Sequence, residues 1–175
     1  MKRLKMRGQK QLFSSARDRG RDDWQTPDRI LAAVTRLAVI GLDPCTTRGN
    51  PVNARDFFCS RGLNLPWRGR GLVFVNPPFS KVDRWIDKSL SEYFSATPRD
   101  KLEIVLLLAA RTDTAWFQRL LKHARAIVFI RGRIRFRGAR WSAPFPSVLV
   151  YLGYRPSSFA RAVRRLGLVA IERTV

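Results

Sequence analysis

The sequence predicts an α/β fold with a mostly parallel sheet, covered by helices, that ends in a C-terminal antiparallel hairpin. Two observations lead to this prediction. Short apolar runs rich in β-branched residues and leucine alternate with segments whose apolar residues recur at helical spacing, as expected for strand–helix–strand units. With 175 residues, of which 45% are hydrophobic, the chain is long enough for one domain with a substantial core.

Residues 1–21 precede the first periodic segment. They are rich in Lys, Arg, Gln, Ser and Gly, so we expect a flexible basic arm there and a single domain over residues 22–175. The arm could contact phosphates, or it could serve only as a solubilising tail. It lacks the apolar region of a signal peptide, so we do not expect secretion.

The first helix is predicted to begin at Pro27 with Thr26 as its N-cap, because proline is favoured at the first helical position. Ile30, Val34 and Leu37 would form its buried face. The same patterns place the later elements in order. They are strands at 39–42 and 72–75, a helix carrying Trp85 or Ile86, Leu90 and Phe94, a strand at 103–108, a helix within 111–123 capped by Thr112 or Asp113, strands at 126–130, 133–136 and 148–152, a short helix at 159–166 and a closing strand at 168–171.

Charge is the strongest signal in the composition. Lys and Arg total 34 against 13 Asp and Glu, a formal net charge of +21, which predicts a polyanionic partner because phosphates attract such a surface. The arginine excess suits bidentate contacts to phosphate and guanine. A membrane is the weaker candidate, since the arginines do not follow an amphipathic helix and no apolar stretch approaches the ~20 residues of a membrane span.

Cysteine and histidine are too scarce for most metal and triad chemistry. Cys45 and Cys59 lack the paired spacing of a zinc site, and His123 is the single histidine, so no metal is expected. Two free thiols fit a reducing cytoplasm.

The segment Asn76-Pro77-Pro78-Phe79 directly follows a predicted buried strand. It would lie at the carboxyl edge of the sheet, where open α/β folds bind ligands. One group that such a turn could bind is the amino group of an adenine base. Its nitrogen is a poor nucleophile because its lone pair is delocalised. The Asn76 side-chain oxygen and the Pro77 carbonyl could hold its two N–H groups, and Phe79 could stack on a base flipped out of a duplex. The alternative is an ordinary turn, since Asn-Pro favours turns anywhere.

A second turn, Asp43-Pro44, ends another predicted strand and precedes a polar loop that contains Gly49. A carboxylate and backbone amides there could hold a zwitterionic cofactor that bears a sulfonium. The alternative is a capped turn without a ligand.

Residues 131–137 alternate strictly between arginine and other residues. As a strand, this segment would place Arg131, Arg133, Arg135 and Arg137 on one face, and that face should meet phosphate. The alternative is a solvated edge strand that its charge protects from aggregation.

Three further side chains could join this surface. Arg140 and Trp141, in the following loop, could reach a groove or the flipped base. Arg111 could contact DNA, or could pair with Asp113 at the start of a helix.

Six motifs occur together in one order. They are Asp23-Trp24-Gln25-Thr26-Pro27, Asp43-Pro44 with Gly49-Asn50, Asn76-Pro77-Pro78-Phe79, Ala110-Arg111-Thr112-Asp113-Thr114 with Trp116-Phe117, Arg131-Gly132-Arg133, and Ser142-Ala143-Pro144-Phe145-Pro146-Ser147. The ordered set, over about residues 22–152, resembles the phage-type DNA N6-adenine methyltransferase (Dam) family. The Asn-Pro-Pro-Phe tetrapeptide also occurs in other amino-methyltransferases, so the order of the motifs carries the resemblance.

The resemblance implies an abbreviated, Rossmann-like S-adenosylmethionine-dependent enzyme that methylates a flipped adenine in DNA, in the cytoplasm of a bacterial host and encoded by a phage or prophage. It implies no membrane and no obligate protein partner. Residues 76–79 would bind the target base. The residues implied for the methyl-donor site are Trp24, Thr26, Asp43, Pro44, Gly49 and Asn76.

The chain departs from the family pattern at two places. The family pattern leads us to expect an acidic residue before Gly62-Leu63 that contacts the adenine of the cofactor. This chain has Arg61 at that position. The interval between Asp43 and Asn76 is also short for two crossover helices, so this half of the fold should be abbreviated.

Other functions remain open. An RNA adenine has the same amino group. A protein glutamine amide would suit the same pocket but would not explain the charge of +21. A non-catalytic DNA-binding protein could keep the fold, and would then show no saturable affinity for S-adenosylmethionine.

Overall fold

Seven strands form one mixed sheet with four α-helices packed on it, over residues 24–172. The structure is a computed structural model that describes these residues; the arm expected at 1–21 and Asp23 lie outside them. The elements are α1 (Asp28–Thr35), β1 (Ile40–Asp43), β2 (Asp56–Phe57), β3 (Leu72–Val75), α2 (Val82–Ser95), β4 (Glu103–Ala109), α3 (Ala115–Leu121), β5 (Ala126–Ile130), β6 (Ser147–Leu152), α4 (Pro156–Val163) and β7 (Gly167–Ile171), with 3-10 turns at Phe79–Lys81 and Pro98–Asp100. None of the helices in this range is long and apolar enough to cross a membrane.

The strand order is β2-β1-β3-β4-β6-β5-β7. The pairs β2–β1, β1–β3 and β3–β4 are parallel, whereas β4–β6, β6–β5 and β5–β7 are antiparallel. The prediction of a mostly parallel sheet is therefore wrong. Strand β6 lies between β4 and β5 and separates two strands that run in the same direction, an arrangement that the order of elements along the chain does not specify.

The predicted strand at 133–136 is also wrong, and the antiparallel hairpin joins β5 and β6 instead. Ile134 and Phe136 are buried and Arg133 and Arg135 are exposed, as the alternation requires. Within residues 24–172, however, the segment has no ladder partner, and the one isolated bridge nearby joins Arg137, the next residue, to Gln25. Alternating burial comes here from packing of the loop on the core rather than from a strand.

The first helix begins at Asp28, with Pro27 at the N-cap position and no side-chain cap. The prediction that Thr26 is the N-cap is therefore wrong. The Thr26 hydroxyl instead accepts a hydrogen bond from Asn76 Nδ2 at 3.3 Å. Helix α3 likewise begins at Ala115, with Thr114 at its N-cap, later than the predicted caps.

The core occupies both faces of the sheet. Along β4, Val105 and Leu107 pack with α1 and α4, whereas Ile104, Leu106 and Leu108 pack with α2 and α3. This period of two is expected of a central strand that is buried on both sides.

The strands β1, β3 and β4 all end at one edge of the sheet. Residues 44–71, between β1 and β3, contain the two-residue strand β2 and no α-helix, which confirms the expected abbreviation. Much of the lining of a cavity at this edge comes from this segment instead.

Candidate active site

A cavity of about 800 Å³ opens at the carboxyl ends of β1 and β3. Its volume lies within the range of about 300–1,000 Å³ that is usual for small-molecule and cofactor sites. Six of the residues predicted to hold the donor or the base line it: Trp24, Thr26, Asp43, Pro44, Asn76 and Pro78. Pro77, Phe79 and Gly49 do not line it. The structure thus brings together turns that lie far apart in the sequence.

Asn76 follows the last residue of β3, and its amide is held in one orientation. Its Nδ2 donates to the Trp24 carbonyl oxygen at 2.5 Å and to the Thr26 hydroxyl at 3.3 Å. A carbonyl oxygen can only accept, so the nitrogen and not the oxygen of the amide must face Trp24. Both Nδ2 hydrogens are engaged, and Oδ1 is the atom that Asn76 can offer to a substrate N–H.

Asp43 ends β1 and is 3% exposed. Burial raises its pKa to about 6, although the Cys45 N–H donates to Oδ1 at 3.1 Å and opposes the shift. Among the described residues that line the cavity, Asp43 is the one carboxylate. A desolvated carboxylate of this kind binds a cationic group strongly, because bringing in an opposite charge offsets its burial.

One wall of the cavity depends on a glycine. A Cβ at Gly62 would clash with the Pro44 carbonyl oxygen, so only glycine allows the two backbone segments to approach this closely. Trp67 holds the segment in place, since its Nε1 donates to the Gly62 carbonyl at 3.0 Å. The Trp67 N–H donates in turn to Glu92 of α2 at 3.0 Å, and the Trp67 ring stacks on Trp85.

Three basic side chains, Arg61, Lys81 and Arg84, complete the charged lining. Arg61 has a left-handed backbone, with φ of 62°, and stands where the family pattern led us to expect an acid. The cavity therefore combines one carboxylate with three cations. A ligand with both charge signs suits this lining better than a simple cation.

Phe79 belongs to an aromatic cluster beside Asn76. Its ring lies 5.0 Å from Phe145 and 6.3 Å from Phe136, both edge to face, and Phe136 lies 5.0 Å from Trp24. Phe79 is half-buried. The cluster connects the Asn-Pro-Pro-Phe turn to the loop between β5 and β6.

The predicted DNA-binding arginines differ in their surroundings. Exposed side chains are found at Arg111, Arg131, Arg133, Arg135 and Arg140. Arg137 is half-buried, pairs with Asp28 and donates to the Pro51 carbonyl at 2.9 Å. Its guanidinium therefore joins α1 and the 44–53 loop. The other arginines are exposed to solvent, where they can face a polyanion, although Arg135 Nε also donates to the Ala139 carbonyl at 2.9 Å.

Sequence reasoning missed several cavity residues. In the sequence, Gly62 is only the neighbour of Arg61, and Trp85 is predicted only as part of the apolar face of a helix. Trp85 is buried and also lines the cavity. Cys45 lines the cavity too, and burial raises the pKa of its thiol well above the ordinary value. No local sequence pattern indicates these roles, because each depends on a contact between segments that lie far apart in the chain.

Comparison with known proteins gives a consistent result. The model of a family described as DNA N-6-adenine-methyltransferase (Dam) matches residues 13–147. The chain is also similar to a protein of Escherichia phage T1 named DNA N-6-adenine-methyltransferase, with 26% identity over 125 residues. The match covers 70% of this chain and 50% of the phage protein, so the chain spans about half the length of that relative.

Proposed function

The chain belongs to the DNA N-6-adenine-methyltransferase (Dam) family, and on that premise we propose that it methylates the N6 amino group of adenine in DNA, with S-adenosylmethionine as methyl donor. One observation carries the proposal. Asn76 presents an oriented amide at the end of β3 and shares a cavity with the buried carboxylate of Asp43. The amide proposed to bind the adenine and the carboxylate proposed to bind a cationic group thus lie in the same cavity.

The residues present fit the methyl donor. When bound, S-adenosylmethionine supplies an electrophilic methyl group on a sulfonium. In this proposal Asp43 neutralises positive charge of the donor. Arg61, Lys81 or Arg84 binds the carboxylate of the donor. Trp24 and Pro44 form apolar walls, and Gly62 lets the wall approach closely. Gly49 lies outside the lining, and any contribution from it would be through its backbone.

The base would be held by the turn after β3. Asn76 Oδ1 accepts one N6–H, and the Pro77 carbonyl accepts the other, so that the amino nitrogen is oriented toward the methyl group. Phe79 stacks on the base, whose removal from a duplex costs a few kcal/mol of stacking and pairing. Pro78 limits the backbone freedom of this turn. No proton needs to leave the nitrogen before attack.

DNA is the substrate that best explains the surface. The exposed arginines Arg131, Arg133, Arg135 and Arg140 lie in the loop that contacts Phe79 through Phe145, so phosphates bound there would flank the base site. We further propose a Rossmann-like fold, because the cavity lies at the carboxyl ends of adjacent parallel strands. For a phage-family enzyme, the bacterial cytoplasm would be the site of action.

The test is tritiated methyl transfer from S-adenosylmethionine to unmethylated duplex DNA, followed by digestion to nucleosides. Label should appear in N6-methyladenine. Asn76→Ala should lower kcat by about 100-fold or more, as removal of a preorganised polar group does in other active sites. Gln118→Ala is the matched control, because it removes an exposed carboxamide that is not part of the cavity lining.

Other outcomes point elsewhere. Label in RNA or protein but not in DNA would refute the proposed substrate. An absence of saturable S-adenosylmethionine binding, measured by calorimetry on folded protein, would favour a non-catalytic DNA-binding protein.

A further inference from the structure

The loop between β5 and β6, residues 131–146, starts from the cavity edge of the sheet. Strand β6 begins at Ser147, which pairs with Ala109 at the carboxyl end of β4. Strand β5 ends at this same edge, because Phe129 pairs with Val148. The loop therefore projects on the side where Asn76 follows β3.

Both ends of the loop are anchored beside the proposed base site. The Ala143 N–H donates to the Ile134 carbonyl at 2.7 Å and closes the loop on itself. Phe136 contacts Trp24 and Phe145 contacts Phe79, each with ring centroids 5.0 Å apart. The position of the loop tip relative to the cavity is thus set by aromatic contacts on either side of it.

The tip carries a large exposed ring. Trp141 is 61% exposed, and the Arg140 guanidinium lies 5.3 Å from its ring centroid. This cation–π contact restrains the ring without burying it. Exposed arginines at 131, 133 and 135 precede it in the same loop, and their charge is complementary to a phosphate backbone. The exposed Trp141 ring beside them could stack between bases.

We propose that Trp141 inserts into the DNA duplex and occupies the space that the target adenine leaves when it turns toward Asn76 and Phe79. This inference rests on the proposed function. Flipping removes the stacking of the target base on its neighbours. An aromatic ring inserted in its place stacks on those neighbouring bases and restores part of the lost stacking. Trp141 is thus a positioning residue that stabilises the flipped state, whereas Phe79 contacts the base itself.

The test begins by locating the adenine that the wild-type protein methylates in a duplex. That adenine is then replaced by 2-aminopurine, whose fluorescence rises when it is unstacked. Wild-type protein should raise the fluorescence, and Trp141→Ala should show only a small part of this rise. The kcat/KM of Trp141→Ala for methylation should also be about 10-fold or more lower than that of the wild type, the effect expected when one stacking contact is removed. Trp141→Phe should retain most of both signals.

Tyr154→Ala is the matched control. Tyr154 is 56% exposed and has the Arg155 guanidinium 5.5 Å from its ring centroid, so it resembles Trp141 in chemistry. It follows the end of β6, where Leu152 pairs with Ile104 at the opposite edge of the sheet. This variant should behave as the wild type.

A duplex with an abasic residue at the target position separates insertion from stacking on the flipped base. Trp141→Ala should bind this duplex about 10-fold more weakly than the wild type, because the gap is present and the ring fills it. Equal binding by the two proteins would overturn the proposal and assign Trp141 to the flipped base. Unchanged flipping and turnover in Trp141→Ala would overturn it while leaving the methyltransferase function intact, whereas a wild type that methylates no DNA would refute both.

Discussion

Asp43→Asn should stabilise the protein at neutral pH. The Asp43 carboxyl is 3% exposed, and burial raises its pKa from 3.8 to about 6. The folded state thus disfavours the ionised form that predominates at neutral pH. Asparagine has nearly the same shape, can still accept the Cys45 hydrogen bond through Oδ1, and carries no charge.

The size of the effect follows from the shift in pKa. A change of about 2 units corresponds to about 3 kcal/mol at 1.36 kcal/mol per unit. Between pH 3.8 and pH 6 the folded state binds more protons at Asp43 than the unfolded state does, so this group makes stability fall as pH rises through that window. The contribution present at low pH is lost above the folded pKa.

Urea unfolding of both proteins at pH 4 and pH 8 measures this effect. The difference in unfolding free energy, Asp43→Asn minus wild type, should increase by about 2–3 kcal/mol from pH 4 to pH 8, because the other titrating groups cancel between the two proteins. A difference that does not change with pH would refute the reasoning that burial of this carboxyl is uncompensated.

The same substitution should weaken cofactor binding. The affinity of wild-type protein for S-adenosylmethionine should fall as pH decreases through about 6, where Asp43 becomes protonated. Asp43→Asn should bind weakly at every pH and lack this dependence. Calorimetric titration at pH 5.5 and pH 8 checks the prediction, and an unaltered affinity in the variant would exclude Asp43 from the donor site.

Three further predictions concern the cavity wall and the basic loop. Gly62→Ala should displace the wall from Pro44 and weaken S-adenosylmethionine binding by 10-fold or more, whereas Gly49→Ala, which has open space at its Cβ position, should bind normally; equal affinities would mean that the wall yields without consequence. Trp67→Phe removes the hydrogen bond to the Gly62 carbonyl. In steady-state kinetics it should raise KM for the donor several-fold with little change in kcat, and a fall in kcat with unchanged KM would contradict a positioning role. Arg133→Ala should reduce the salt dependence of DNA binding by about one unit of slope, the effect of losing one phosphate contact, and an unchanged slope in a filter-binding series would exclude Arg133 from that contact.

Much of the secondary structure followed from the sequence. The strands at Leu72–Val75 and Ala126–Ile130 have the predicted bounds, because each is a continuous apolar run with turn or charged residues at its ends. The α1 face with Ile30 and Val34 is buried as predicted. These patterns are local consequences of side-chain periodicity.

The failures have one physical origin. The alternation in residues 131–137 correctly predicted which side chains are buried, yet in the part of the chain that the structure describes no strand pairs with that segment. Thr26 has the chemistry of an N-cap, but its hydroxyl accepts a bond from Asn76 instead. In both cases a distant partner, or the lack of one, overrode the local preference.

The sequence by itself determined the charge of +21, the turns at Asp43-Pro44 and Asn76-Pro77, and the motif order by which the family is identified. Only the tertiary structure decided that β6 separates β4 from β5, that Gly62 packs against Pro44, and that the Asn76 amide has one orientation. Motifs depend on residues that are neighbours in the chain, whereas sheet order, close backbone approach and amide orientation depend on groups that meet only when the core is packed.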